Sequence, residues 1–564
     1  VVFALFCSLI VAVTLIPMLA SKIFKKENAE KCSGEATGKG FMGGVEKKYR
    51  KALIWSLVHR KKVILSTLAA FAVSIAMIFS LGSNFMPGME TKLIMFNMTL
   101  PAGSSLEYVD KTAKEMEVII EEKVGDNLES MTVITGGSDS SMGGGGMSAG
   151  SNGASFIFRL KDKNRMTMGM EEIKEVIRNS VPPIKGIDMK YNDLSSSMLG
   201  AGNSAVEIKI FGSGTEELKT LGEEVVEKIK TVEGVEDVEM SLEESKPEIK
   251  IEINRERASQ YGLSISQVGS YVKSFMQGQI ATQLRQGDDE TDIRVRFAED
   301  YRDNLQKVKD ITIATSAGDK IFLKQIADIS ESQGFVKIVR EDQIRKVTVA
   351  ANTSGRNLDA IMQDINTNLE DFEMPDGYFM ENGGSYEMMQ DSFVALGYAM
   401  ILGIILVYMV MASQFESLLY PFIVMFEIPL SFIGVGLILF LTGQSLSLPS
   451  MIGIVVLAGI VVNNAIVFID YINQLRKKGM EMNDAIVEAG LTRLRPILIT
   501  SLTTVLGMIP LATSTQEGSE MMKPMAIAVV GGLMTSTILT LVVIPVIYSL
   551  FDRFSRKDFE AENL

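Results

Sequence analysis

Inside an apolar run long enough to cross a bilayer, an ionisable or amide side chain is costly, and by default it marks a functional position. Several occur in the last third of this sequence. In GIVVNNAIVFIDYIN (Gly459–Asn473), Asn463 and Asp470 are seven apart and share a helix face, with Asn464 beside Asn463. In RLRPILITSLTTVLGMIPL (Arg493–Leu511), Arg493 and Thr500 are also seven apart. Glu427 stands two residues before Pro429 in the run Leu419–Leu441. Amides, hydroxyls and carboxyls along neighbouring helices can pass protons through hydrogen bonds. The same groups can instead be glue between helices, and Arg493 can be a snorkelling basic residue at the membrane edge. Asp470 falls near the end of its run, where solvent reaches it. Glu427 either faces an aqueous lumen or lies close to the cytoplasmic surface.

A second set of residues lies in a different setting. Gly136–Ala154 reads GGSDSSMGGGGMSAGSNGA, with no P-loop lysine after it, so phosphate cradling is a poor reading against a mobile loop or plain linker. The chain holds 35 methionines. Flexible thioethers suit promiscuous apolar pockets, and they also ligate soft metals such as Cu(I). By contrast, one histidine and two cysteines (Cys7, Cys32) argue against a zinc or Cys/His site, and a Ser/His/Asp triad would have to use His59, which sits in a basic loop. The net charge of -14 removes a basic nucleic-acid footprint, and an enzyme reading has no motif behind it.

These residues must be held by elements that the composition already separates. The chain has 564 residues and a mean hydropathy of +0.21, although 22% of its residues are charged. Very apolar segments and a charged, water-facing part must therefore coexist. Apolar runs occur at Val1–Met18, Val63–Leu81, Phe393–Ala412, Leu419–Leu441, Met451–Tyr471, Pro496–Leu511 and Met525–Leu550, which predicts seven spans with the first truncated. Residues 21–62 are rich in Lys and Arg, as are Arg476–Lys478 with Arg493 and Arg495, and Arg553, Arg556 and Lys557. Alternate counting puts every basic cluster on the cytoplasmic side. Residues 84–391 are then extracytoplasmic, contain no cysteine, and must rely on their own core.

That segment repeats one pattern, a strand, an amphipathic helix and a second strand, four times. The units start at Leu93, Ser155, Val206 and Lys346; Ser104/Glu107 and Ser213/Glu216 read as capping boxes. A single unit cannot bury its sheet face, so pairing gives two ferredoxin-like subdomains. The fold class expected is an α+β membrane protein, with an α-helical transmembrane bundle, external ferredoxin-like βαβ subdomains and an inserted α/β subdomain. Its parts are a truncated span (1–20), a basic cytoplasmic loop (21–62), a span (63–83) and a ferredoxin-like subdomain (84–203). A second ferredoxin-like subdomain (204–245 and 334–390) carries the insertion at 246–333. A five-span bundle (391–552) and a cytoplasmic tail (553–564) follow.

This order resembles the C-terminal half of a resistance-nodulation-division transporter. The residues that carry the resemblance are LPAG (Leu100–Gly103), Gly459–Asn473, Arg493–Leu511 and VVGGLMTSTILTLVVIPV (Val529–Val546). They look like the hydrophobe/amphiphile efflux branch, the acriflavine-resistance-type multidrug permeases. In that family the two ferredoxin-like subdomains correspond to porter subdomains and the insertion to a docking subdomain. The resemblance implies a homotrimer in the inner membrane that exports amphiphilic compounds by proton antiport, with the proton as coupling ion and no other cofactor. It implies an N-terminal half, bearing a proton-binding aspartate pair, beyond this chain. It also implies a membrane-fusion adaptor and an outer-membrane channel as partners. Arg493 and Thr500 match the family's relay arginine and threonine. Asn463 stands where the family often has lysine, so the usual charge pairing is in doubt, while a hydrogen bond to a carboxyl remains available.

For substrate, the resemblance implies that Thr132, Ile134 and Phe156 line a deep pocket and that Met95 lies at an entrance. Gly137 and Asp139 would occupy a switch loop that has lost its aromatic residues. A related heavy-metal branch uses external methionines, and Met95, Met142 or Met147, and Met198 could serve in that way. Cu(I)/Ag(I) export is thus the alternative within the superfamily, although that branch usually has a membrane glutamate near position 463. A transport-inactive membrane accessory of protein export is the alternative outside it.

Overall fold

The computed structural model describes residues 2–23, 41–87, 92–101, 103–136, 152–162, 165–180, 187–192, 204–242, 246–287, 289–302, 304–315, 318–334, 338–514, 516 and 518–561. Two compact units result: residues 1–90, 357–360 and 386–564 form one, and residues 91–356 with 361–385 form the other.

The first unit begins with α1 (Val2–Ile23), α2 (Phe41–Val58) and α3 (Arg60–Ser80). The second unit then supplies β1 (Leu93–Thr99), α4 (Leu106–Val124), β2 (Leu128–Thr135), β3 (Gly153–Leu160), α5 (Met170–Arg178) and β4 (Asp188–Asn192). These four strands form one antiparallel sheet in the order β2-β3-β1-β4. The helix-facing side holds Ile94, Phe96, Met98, Phe156 and Phe158, against Val109, Met116 and Ile120 of α4 and Ile173 and Ile177 of α5. The spacing of those helix residues is what makes a sheet cover of two short helices work.

A second sheet follows from β5 (Val206–Gly212), α6 (Thr215–Lys230) and β6 (Val235–Met240). An insertion then adds β7 (Lys246–Ile253), α7 (Ile265–Met276), the hairpin β8 (Gln279–Gln286) and β9 (Asp289–Val295), and β10 (Ala327–Gly334). The chain returns through β11 (Val339–Glu341), β12 (Ile344–Thr353), α8 (Leu358–Glu370) and β13 (Phe379–Gly383). The sheet order is β11-β12-β5-β13, with β6 also pairing β12. The insertion is closed at its base by the antiparallel pair β7/β10. It has a small core of its own around Leu263, Val268, Val308, Ile313 and Leu323.

Both expected capping boxes shift. The first helix starts at Leu106, so Ser105, in extended backbone, is the cap and accepts from the Tyr108 N–H; Ser104 instead donates to the Pro101 carbonyl. The third unit's helix is capped by Gly214 without a side-chain bond, and the Tyr378 hydroxyl accepts from the Gly214 N–H at 3.0 Å. In each case a tertiary or turn contact outweighs a local Ser/Glu pair.

The first unit resumes with α9 (Gly384–Phe415), α10 (Leu419–Met425), α11 (Glu427–Thr442), α12 (Leu448–Lys477), α13 (Met482–Thr513) and α14 (Lys523–Ala561). Six helical stretches are long and apolar enough to cross a membrane: α3, α9, α10 with α11, α12, α13 and Lys523–Phe551 of α14. At the N-terminal run, where a truncated span is expected, α1 contains a shorter apolar stretch, Phe6–Lys22. The helix expected at Pro496 begins at Met482, because its first turns are polar and window hydropathy misses them. α14 packs against α11, α12 and α13, and is the central helix of the described bundle. Where it meets α11, Gly434 and Gly531 allow the backbones to touch: a Cβ on Gly434 would stand 2.2 Å from the Gly531 carbonyl oxygen.

Candidate proton-relay site

The site is built from the small polar residues that the apolar helices bury. α12 carries Asn464 inward, 8% exposed. Its amide donates to Ser501 Oγ on α13 at 3.2 Å. Its carbonyl accepts from Thr500 Oγ1, also on α13, at 3.4 Å. Thr537 of α14 donates to Ser501 Oγ at 2.8 Å. Three helices are therefore joined through side chains in an interior where unpaired polar groups are costly. One turn along α14, Thr540 donates to Glu427 Oε1 of α11. Farther along the same helices, Tyr548 donates to Asn473 at 2.7 Å.

The residues expected from the sequence divide. Asn464 and Thr500 lie in the network. Asn463 turns to the exposed side of α12 and takes no part in it. Asp470 shares that exposed side and accepts from the Gln474 amide at 2.8 Å. Arg493 is half-buried, with its guanidinium over the Tyr471 ring at 4.7 Å. Its Nε has no hydrogen-bond partner among the described residues. Its position is thus set by stacking, without a hydrogen bond to the Asn464 cluster. Glu427 is 1% exposed and lies inside the helix bundle.

Ser501, Ser536, Thr537 and Thr540 were not singled out from the sequence. A signal was present: TSTILT (Thr535–Thr540) puts Ser536, Thr537 and Thr540 on one helix face. Hydroxyls are cheap in a helix because they bond the preceding turn's carbonyl, as Thr537 and Thr540 do, so the run does not stand out in hydropathy.

In the other unit, strand pairing sorts the substrate candidates. Thr132 opposes Ile157, and Ile157 opposes Met95, so these three share one sheet face; Ile134 is on that face too, opposite Ser155. Thr132 and Ile134 are exposed there, whereas Met95 is only 1% exposed. Phe156 lies on the other face, in the helix-covered core, and does not join them. The reason is the period of two along a strand: Phe156 is one residue from Ile157. Gly137, Asp139, Met142, Met147 and Met198, with most of the Gly-rich loop, lie outside the described residues. Among the described residues no group of three or more His, Cys, Asp or Glu could hold a metal ion.

Comparison with known proteins identifies the arrangement. The family model described as the AcrB/AcrD/AcrF family matches residues 1–552. The chain is 27% identical over 566 residues to the swarming motility protein SwrC of Bacillus subtilis (strain 168), covering 99% of this chain and 52% of that protein. It is 27% identical to the cobalt-zinc-cadmium resistance protein CzcA of Cupriavidus metallidurans, with coverage of 100% and 53%. It is 26% identical to the nickel and cobalt resistance protein CnrA of the same organism, with coverage of 96% and 50%. A crystal structure of a heavy metal efflux pump shares the fold with a TM-score of 0.77 at 24% identity, covering 98% of this chain and 55% of that one. The chain therefore spans about half the length of the relatives it matches. With that match over nearly its whole length, the chain belongs to the AcrB/AcrD/AcrF family of resistance-nodulation-division permeases, which are transporters and not enzymes.

Proposed function

We propose that this chain forms the C-terminal half of a proton-driven efflux permease of the cytoplasmic membrane, with a soft metal cation such as Cu(I) or Ag(I) as its cargo. The observation that carries the transport reading is the buried network of Asn464, Thr500, Ser501 and Thr537 within helices long enough to span a bilayer. Relatives named for metal resistance match 96% or more of the chain, which favours metal over amphiphile as the cargo. The donor chemistry selects the kind of metal. Cobalt, nickel and zinc prefer imidazole and oxygen donors, and this chain has one histidine but 35 methionines. Thioethers bind Cu(I) and Ag(I). Met95, with Met142 or Met147 and Met198, supplies the donors in this reading.

Amphiphile export is the second reading. It is favoured by the equally extensive likeness to SwrC, whose name carries no metal, and by the exposed sheet face of Thr132 and Ile134. Under either reading, the four-stranded and five-stranded sheets with their helices are porter-type ferredoxin-like subdomains and residues 246–333 a docking-type insertion. The partners are then further copies in a trimer, an aspartate-bearing N-terminal half, an adaptor and an outer-membrane channel.

The test is accumulation of Ag(I), and separately of an amphiphilic dye, in cells expressing the protein, with and without a proton uncoupler, for wild type and Arg493→Ala. Uncoupler-sensitive export of Ag(I) that is lost in Arg493→Ala supports the proposal. Export of dye alone replaces it with the second reading. Movement of neither overturns both.

A further inference from the structure

Glu427 is a buried acid that the relay above does not use. Its carboxyl sits at the junction of α10 and α11, against the Ala465 backbone of α12 and the Thr540 hydroxyl of α14. Thr540 satisfies Oε1. Oε2 is buried and has no hydrogen-bond partner among the described residues. An unpaired carboxyl oxygen in an apolar bundle is the kind of defect that structural residues avoid, and leucine would pack there without it.

Thr540 and Thr537 are three apart on one face of α14, and Thr537 bonds Ser501, which bonds Asn464. Glu427 is thus the ionisable end of a buried polar track that otherwise contains only hydroxyls and an amide. The helices packed against α11 are α3, α10, α12 and α14. Their ionisable groups are engaged elsewhere or stand at helix ends: Arg60, Lys61 and Lys62 open α3, Asp470 bonds Gln474, Tyr471 lies under Arg493, Tyr548 bonds Asn473, Arg476 and Lys477 close α12, Lys523 opens α14, and Asp552 to Glu560 lie in its last turns. Tyr420 of α10 is ringed by Phe415 and Tyr548. Among the described residues Glu427 belongs to no group of three or more His, Cys, Asp or Glu that could hold a metal ion.

We propose that Glu427 is a proton-binding residue of the transport cycle, taking a proton on Oε2 and returning it to water in another conformation. The carboxylate and one proton form the neutral acid, and the reverse step restores both. This rests on the proton-driven reading above and adds a carrier inside the helices of this chain.

Infrared difference spectroscopy of the protein in proteoliposomes tests it without any cargo. An alkaline jump should remove a protonated-carboxyl band that is missing in Glu427→Gln and shifted in Glu427→Asp. In the same vesicles, uncoupler-sensitive efflux of Ag(I) or ethidium should fall about tenfold or more in Glu427→Gln and recover in part in Glu427→Asp. Thr540→Val keeps the carboxyl and removes its donor, so it should move the band without abolishing it; this arm decides the matter if the glutamine variant fails to accumulate. A band unchanged by Glu427→Gln, or wild-type efflux in that variant, overturns the proposal. If wild type itself shows no uncoupler-sensitive efflux, the proton-driven reading fails, while the band still reports whether Glu427 exchanges a proton.

Discussion

Replacing Asn464 with leucine tests whether the buried network acts as a unit. The change removes two bonds between helices, to Ser501 at 3.2 Å and from Thr500 at 3.4 Å. Such bonds are worth about 0.6 kcal/mol each in a bilayer, so the loss is about 1 kcal/mol, or roughly fivefold in the folding equilibrium. Ser501 also accepts from Thr537, so removing Asn464 disturbs a shared partner. Equilibrium unfolding in mixed micelles of Asn464→Leu, Thr537→Val and the double variant should therefore give a coupling of about 0.5 kcal/mol or more. Asn463→Leu is the control. Its side chain is exposed and outside the network, so stability should change by less than about 0.5 kcal/mol. Additive losses in the cycle, or equal effects at 463 and 464, would refute the reasoning.

Three other outcomes follow from the geometry. Gly434→Val should lower the melting temperature in detergent strongly, because its Cβ would stand 2.2 Å from the Gly531 carbonyl oxygen, and overpacking alone costs about 1–3 kcal/mol; an unchanged melt would show that α11 and α14 separate freely. Tyr49→Phe should cost about 1 kcal/mol on thermal unfolding, since the buried hydroxyl donates to the Leu541 carbonyl at 2.9 Å; no loss would mean that water replaces the bond. The Lys346 ammonium, hydrogen-bonded to Glu341, holds that carboxyl below its ordinary value of 4.5. A lowered folded value means the pair's contribution is present above that ordinary value and is lost as pH falls through the folded one. Hydrogen-exchange protection of the β11/β12 pair should fall in that acidic window, and Glu341→Gln should flatten the fall; identical profiles would count against the pair.

Where the sequence was legible, the reason is periodicity. The second unit's helices announce themselves at i, i+3, i+4 and its strands at i, i+2. The stripes Leu218, Leu221, Val225, Ile229 and Leu358, Ile361, Ile365 are buried as that pattern requires. The apolar runs likewise locate the membrane-length helices, because twenty apolar residues have few other uses. Local cap chemistry was less reliable. Ser104 and Ser213 offer good capping hydroxyls, but the helices begin one residue or more later, where turn geometry and Tyr378 decide. Resemblance to a family does not report strand parity: Phe156 lies on the helix-covered face of its sheet, and Met95, Thr132 and Ile134 lie on the other.

By itself the sequence determined the membrane helices, the strand–helix–strand repeat and the presence of costly polar residues in apolar runs. Composition and spacing are one-dimensional quantities, and these features depend on little else. Only the tertiary structure decided which polar residues meet. Asn463 and Asn464 are chemically identical neighbours, yet a rotation of about 100° per residue turns one outward and the other onto Ser501 and Thr500. Glu427 and Thr540 are far apart in the chain and become partners only because Gly434 and Gly531 let α11 and α14 touch. Contacts of that kind depend on how closely two helices approach, which no local pattern encodes.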